Sequence, residues 1–268
     1  MNCWHCQTEL IWGGDHDAED SETFSMVTNL SCPKCHSFVE VYYPSEETIK
    51  EYDKDFNAVV NRSRNIANGM SKGVQFLMKK NKIDVIEGHG KIFTGKKIAV
   101  TQGEKTVEYQ AKNIIIATGA RSREIGSLKQ DGKKVIGYRE AMTLPKQPKK
   151  LIVVGSGAIG IEFAYFCNSM GTEVTIIEYL DRILPVEDEE VSKQLERSFK
   201  KSGIKIMTGA EVTGVDSKGK GVKATVKTSK GDESISADIV LSAVGIKANI
   251  ENIGLEDVGI AVDRDKIL

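Results

Sequence analysis

At 268 residues, with 40% hydrophobic and 28% charged side chains, the chain has room for about two domains and the balance of a globular rather than a disordered protein. Its 37 basic and 38 acidic groups nearly cancel, which excludes a general electrostatic pull toward nucleic acid or an anionic membrane and leaves only a local patch for such a partner. No apolar run reaches the length of a membrane span and no basic-then-apolar signal opens the sequence, so a cytoplasmic location is expected, where cysteines serve as metal ligands or buried thiols rather than disulfides.

Four of the five cysteines stand in two knuckles, Cys3-Trp4-His5-Cys6 and Cys32-Pro33-Lys34-Cys35, with 25 residues between them. Two thiolates three positions apart on a tight turn converge on one ion, and two such turns complete a tetrahedral zinc site with Zn–S distances of about 2.3 Å. Residues 24–30 and 38–43 alternate as strands do. Residues 1–45 therefore read as a small β zinc ribbon with Cys3, Cys6, Cys32 and Cys35 as ligands, too short to bury enough apolar surface without the metal. The competing reading, a pair of C-x-x-C redox sites, lacks the βαβ setting of such sites. His5 and His36 flank the knuckles as substitute ligands. The stretch holding Asp15, His16, Asp17, Glu19 and Asp20 is expected to be a solvated acidic loop, and its charge argues against nucleic acid as a partner.

Residues 46–82 read as linker and helix: a charged stretch follows Pro44, and from Phe56 to Asn81 the residues Val59, Val60, Ile66, Met70, Val74, Leu77 and Met78 recur at near-helical spacing, weakened by Gly69 and Gly73. Within 83–148, the β-like runs Asp84 to Phe93, Lys97 to Thr101 and Thr106 to Tyr109, with Gly95 and Gly103 at the turns, predict a meander. The run from Asn113 through Ala117 then reads as a buried strand that ends in a glycine turn at Thr118-Gly119-Ala120-Arg121. Its carboxyl end is where a doubly wound sheet places ligands.

Residues 149–248 carry the clearest signal. The apolar run Leu151-Ile152-Val153-Val154 feeds into Gly155-Ser156-Gly157-Ala158-Ile159-Gly160, a G-x-G-x-x-G that opens a helical pattern closing at Gly171. Gly155 allows the tight turn, Gly157 lets the backbone approach a pyrophosphate, and Gly160 lets the helix pack close to the sheet. The strand Glu173 to Ile177 follows, and Glu178 closes it, 23 residues after Gly155, where a carboxylate accepts a hydrogen bond from a ribose 2′-hydroxyl and repels a 2′-phosphate. This is a Rossmann-like α/β domain with NAD favoured over NADP.

Together Arg62-Ser63-Arg64, Gly88-His89-Gly90-Lys91, Ala117-Thr118-Gly119-Ala120, the glycine motif with Ile161-Glu162, and Ser242-Ala243-Val244-Gly245 resemble the dihydrolipoamide dehydrogenases. These are flavin-dependent members of the pyridine nucleotide disulfide oxidoreductases, and the resemblance runs over about 53–268. It implies that Gly90, Thr118, Gly119 and Ala120 contact FAD. It further implies that Gly155, Ser156, Gly157, Ala158, Ile159, Gly160, Ile161, Glu162, Glu178, Val212 and Gly245 contact NAD. From the residues alone, Val212 is a strand core residue and Gly245 a turn.

The resemblance also implies features that this sequence does not show: a first G-x-G-x-x-G for the FAD adenosine diphosphate, a C-x-x-x-x-C dithiol, and a His-Glu acid/base pair on a dimerisation domain. The ribbon stands where the first two belong, and Leu268 precedes the last, so 83–148 is expected to be a partial FAD-binding portion and 249–268 a truncated return segment. No catalytic residue is assigned. Cys167, on the helix after the glycine motif, reads as a buried small hydrophobe. The expected molecule is thus an NAD-binding central portion of a dehydrogenase, without flavin colour and without the family's dimerisation domain. The alternatives are a zinc-ribbon interaction module on a non-catalytic Rossmann scaffold, or a fragment with normally covered surface exposed.

Overall fold

The computed structural model describes residues 3, 6–17, 24–44 and 54–268. They belong to two units, Met1–Asp55 and Phe56–Leu268.

In the first unit, β1 (Ile11–Asp17), β2 (Phe24–Ser31) and β3 (Phe38–Pro44) form an antiparallel meander. Strands β2 and β3 occupy the two expected runs. Strand β1 corrects the expected acidic loop, because Asp15, His16 and Asp17 pair with Thr28, Val27 and Met26. The register shift between Trp12 and Gly14 is a bulge inside this ladder. The Asp15 carboxylate accepts from Thr28 Oγ1 at 2.5 Å and Trp12 Nε1 at 3.1 Å, so it pins the sheet instead of facing water alone. Glu19, Asp20, His5 and the expected linker at 45–53 lie outside the described residues. Cys3, Cys32 and Leu10 are the buried hydrophobic centre of this unit, with Leu30 and Val39 against them.

In the second unit, α1 (Phe56–Lys80) has the expected extent, but its apolar stripe is not a core face. Phe56 is buried, whereas Val59, Ile66, Met70, Val74 and Leu77 are exposed. The meander β4 (His89–Phe93), β5 (Lys97–Gln102) and β6 (Lys105–Gln110) is present, though its first strand begins at His89 and not Asp84. A larger correction falls on Asn113 to Ala117, which forms no strand and leaves Ile115 92% exposed. A buried parallel strand needs neighbours to satisfy its main-chain groups and cover both faces. Among the described residues none pairs with it. Strand β7 (Ala120–Ser122) follows.

The dominant element is a five-stranded parallel sheet. It contains β8 (Val135–Ile136), β9 (Lys150–Val154), β10 (Glu173–Ile177), β11 (Lys205–Met207) and β15 (Ile239–Ser242), in the order β11-β10-β9-β15-β8. Period-two alternation divides its side chains between two cores. Leu151, Val153, Val174, Ile176 and Leu241 join Ala164 of α3 (Ala158–Ser169) and Phe199 of α4 (Glu189–Lys201). Ile152, Val154, Ile177 and Val240 pack with Val222, Ala224 and Val226 of the antiparallel sheet made by β12 (Glu211–Asp216), β13 (Val222–Thr228) and β14 (Gly231–Ala237). Both faces are covered, which is why Leu151 to Val154 of β9 is continuously apolar rather than alternating with polar residues. Helix α3 ends as expected: Gly171 N donates to Asn168 O at 2.8 Å and Thr172 N to Cys167 O at 2.9 Å. Cys167 is 2% exposed, and burial pushes its thiol up to about 11, as suits a small hydrophobe.

The short helix α2 (Tyr138–Ala141) links β8 toward β9, and β16 (Ile246–Ala248) pairs antiparallel with β7. Arg121 of β7 grips the Glu251 carboxylate with both terminal nitrogens, at 3.1 and 2.6 Å. The 3-10 turn Glu256–Val258 and the hairpin β17 (Val262–Asp263) and β18 (Lys266–Ile267) complete the fold. No helix among the described residues is long and apolar enough to cross a membrane.

This division of buried and uncovered apolar residues is measurable by urea unfolding. Ile176→Ala is expected to cost about 2–5 kcal/mol by opening a cavity under the sheet. Ile115→Ala is expected to stay within about 0.5 kcal/mol, as at an ordinary surface position.

Candidate dinucleotide site and four-cysteine centre

The glycine turn sits at the carboxyl end of β9, and its three glycines are used in three different ways. Gly155 has φ +95°, and a Cβ there would overlap the carbonyl of Ala243, which follows β15. Gly160 lies in the first turn of α3, and a Cβ there would overlap the carbonyl oxygen of Gly155. Gly157 caps α3 and has open space where its Cβ would be. Two glycines thus seat helix against sheet, and the third leaves the backbone clear for a ligand at a helix N-terminus, where unpaired amides and the helix dipole favour phosphate.

Glu178 stands at the carboxyl end of the neighbouring strand β10. It is 7% exposed, and its Oε2 accepts from Ser156 N at 2.8 Å and Ser156 Oγ at 2.7 Å, while Oε1 accepts from Leu180 N at 2.9 Å. The strand order puts an acid and a glycine turn, 22 positions apart in sequence, within hydrogen-bond reach. Sequence alone signals the acid but not its bonds. Ser156 is merely the variable residue of the motif, and a backbone amide such as that of Leu180 leaves no sequence trace.

The remaining expected contacts are less uniform. Ala158, Ile159, Ile161 and Glu162 are in the first turns of α3, with Ile161 buried and Ala158 and Glu162 exposed. Val212, in β12, is 4% exposed and belongs to the core beneath the antiparallel sheet, so its side chain faces protein; only its main chain is left to meet a ligand. Gly245 is an exposed turn after β15, with its carbonyl accepting from Arg123 N at 2.9 Å. The turns that follow β9, β10 and β15 share the carboxyl edge of the sheet, the ligand edge of open α/β folds.

The four residues expected at FAD do not form a comparable cradle. Gly90 is in β4 of the meander, and Thr118 to Ala120 lead into β7 on another sheet. The carbonyls of Thr118 and Gly119 accept from Asn249 Nδ2 at 3.1 Å and Asn249 N at 2.9 Å. The strand that should present this turn, Asn113 to Ala117, is not formed.

In the first unit, the sulfurs of Cys3, Cys6, Cys32 and Cys35 all lie within 4.8 Å of one another. The separations Cys3–Cys35, Cys6–Cys32 and Cys6–Cys35 are 3.5, 3.4 and 3.6 Å. A tetrahedron with metal–sulfur bonds of about 2.3 Å has edges of about 3.8 Å, so the donor set suits one thiophilic ion. The Thr8 hydroxyl, 3.3 Å away, and the Thr8 amide draw the Cys6 thiol down to about 6. The Cys35 amide also pulls on Cys32, but burial and the adjacent Cys6 and Cys35 sulfurs outweigh it and push Cys32 up to about 11.

The glycine assignments separate by mutation. Gly160→Ala must displace backbone and is expected to cost about 1–3 kcal/mol. Gly157→Ala, facing open space, is expected to leave the melting curve nearly unchanged. Thermal unfolding of both variants checks this, and equal losses would contradict it.

The chain is similar to known proteins over most of its length. Residues 20–268 match the family model described as pyridine nucleotide-disulphide oxidoreductase. The dihydrolipoyl dehydrogenase of Rhizobium etli is 45% identical over 226 residues, which is 78% of this chain and 47% of that protein. That of Zymomonas mobilis is 43% identical, over 79% of this chain and 46% of its own length. Among solved structures, LpdA from Mycobacterium tuberculosis superposes with a TM-score of 0.73 at 28% identity, covering 82% of this chain and 49% of LpdA. The HOCl-induced flavoprotein disulfide reductase RclA of Escherichia coli, solved as a Cu(II) complex, gives 0.70 at 25% identity, over 80% of this chain and 48% of its own. The chain spans about half the length of the curated relatives it matches. By the extent of the family match, the chain belongs to the pyridine nucleotide-disulphide oxidoreductases.

Proposed function

We propose that this chain is the NAD-binding portion of a dihydrolipoyl dehydrogenase-like oxidoreductase. In the whole reaction a dihydrolipoyl group would give up two electrons and two protons to become a lipoyl disulfide, while NAD takes a hydride and one proton is released. The observation that carries the reading is the buried Glu178 carboxylate at the end of β10, hydrogen-bonded to the glycine turn. Residues 149–248 would hold the nucleotide: the amides at the start of α3, with Gly157 open, face the diphosphate, and Glu178 takes the ribose 2′-hydroxyl. NAD is preferred to NADP because a desolvated carboxylate repels a 2′-phosphate. The nearest downstream cation, Arg182, is turned to the Pro185 carbonyl at 3.1 Å. When bound, the nicotinamide supplies a two-electron hydride carrier; the chain's own residues bind and orient it.

Residues 83–148 correspond to part of a flavin domain, but the described residues do not fit FAD. Gly90 and Thr118 to Ala120 are on separate sheets, and the strand before them is unformed. No catalytic step is therefore routed through this chain alone. At the N-terminus, the tetrathiolate would hold zinc as a structural ion, a use of cysteine that suits a reducing, cytoplasmic setting.

Titration with NADH, followed by nucleotide fluorescence, tests the first part. Saturable binding is expected, and Glu178→Ala should weaken it about tenfold or more, the scale of a lost hydrogen bond to a charged group. No saturable signal with the unaltered protein would end the reading. The absorbance spectrum of that protein should lack flavin bands.

For the ribbon, metal analysis should find one zinc per chain, and Cys32→Ser or a chelator should abolish the first unit's fold. Protons compete with the metal for all four thiolates, so zinc should be held less tightly as pH falls. Zinc release to a chromophoric chelator at pH 5 and pH 8 measures it.

A further inference from the structure

Ser156 fills a variable position of the glycine motif, yet its side chain is among the least accessible in the chain, with 0% exposure. Its hydroxyl is spent inward: Ser156 Oγ and Ser156 N both donate to Glu178 Oε2, at 2.7 and 2.8 Å. The Ser156 carbonyl in turn accepts from Leu184 N at 3.1 Å, tying the glycine turn to the segment that follows Glu178. On the other side of the carboxylate, Leu180 N donates to Oε1 at 2.9 Å.

A carboxylate offers about four acceptor positions, two on each oxygen. Three are filled by these donors, which leaves one on Oε1. We infer that Ser156 is a positioning residue for nucleotide selection: its hydroxyl and amide saturate Oε2 so that Oε1 alone is presented, to a single ribose hydroxyl, with the carboxylate fixed in direction. The inference rests on the NAD reading above, and it assigns Ser156 an action through Glu178 rather than a side-chain contact with the dinucleotide. Without the hydroxyl, Oε2 keeps one donor, the carboxylate is freer to turn, and both the favourable ribose bond and the repulsion of a 2′-phosphate lose their geometry.

The full chain is titrated with NADH and with NADPH, for the unaltered protein, Ser156→Ala, Glu178→Ala and the double variant. Ser156→Ala is expected to weaken NADH about five- to tenfold, the range of one hydrogen bond to a charged group. It should change NADPH less, so that the ratio of the two dissociation constants narrows. In the Glu178→Ala background the same substitution is expected to leave that ratio unmoved. Equal losses for both nucleotides, an unchanged ratio, or the same loss with and without Glu178 overturns the inference. Should Ser156→Ala fold poorly by thermal melting, Ser156→Cys, near in size but a weaker donor, should narrow the ratio in the same direction; an unaltered ratio overturns it equally. Loss of NADH binding by the unaltered protein is a different result, which removes the NAD reading itself.

Discussion

A carbonyl oxygen occupies the place where a side chain on residue 160 would have to go. The close approach of Gly160 to Gly155 brings the start of α3 down onto the end of β9, and the wall formed by Ala243 beyond β15 closes the turn from the other side. The rest follows from that seating. Because the helix starts so near the sheet, its first amides point over the carboxyl edge, and Ser156 is carried to within bonding distance of the acid at the end of the next strand. A methyl group on residue 160 would meet that oxygen and press on the turn that carries Ser156 to Glu178.

The two units are stabilised by different means. The second buries continuous apolar strands on both faces, and the favourable term is apolar area removed from water. Among its described residues the first buries Cys3, Leu10 and Cys32 as hydrophobics, so apolar burial contributes less there. Its polar devices, such as the Asp15 carboxylate between Thr28 and Trp12, fix register more than they add energy.

What was legible in the sequence was short in range. The path from Leu151 through the glycines to Glu178 is one contiguous βαβ pattern, and each residue type there has a single steric or electrostatic reason. The cysteine knuckles were legible for the same reason. What failed was what depends on a neighbour. Asp15, His16 and Asp17 have the look of a solvated loop until β2 lies beside them. Asn113 to Ala117 has the composition of a buried strand, but composition cannot supply a ladder partner, and Ile115 stands in water. The stripe on α1 similarly announces a face to be covered without saying by what. For Ser156 the resemblance implies a ligand contact, and no local pattern announces the buried bond from its hydroxyl to Glu178.

The sheet order has a consequence for how this molecule comes into being. Strand β15 lies between β9 and β8, though it is made well after both. During synthesis the glycine turn therefore leaves the ribosome with no wall behind it, and β8 and β9 must wait unjoined until β15 arrives to be inserted between them. Late insertion of a central parallel strand is a non-local closure, the slow and aggregation-exposed kind. The Ala243 wall against Gly155 exists only once β15 has docked, so the glycine turn at the start of α3 is completed after the strand that carries it.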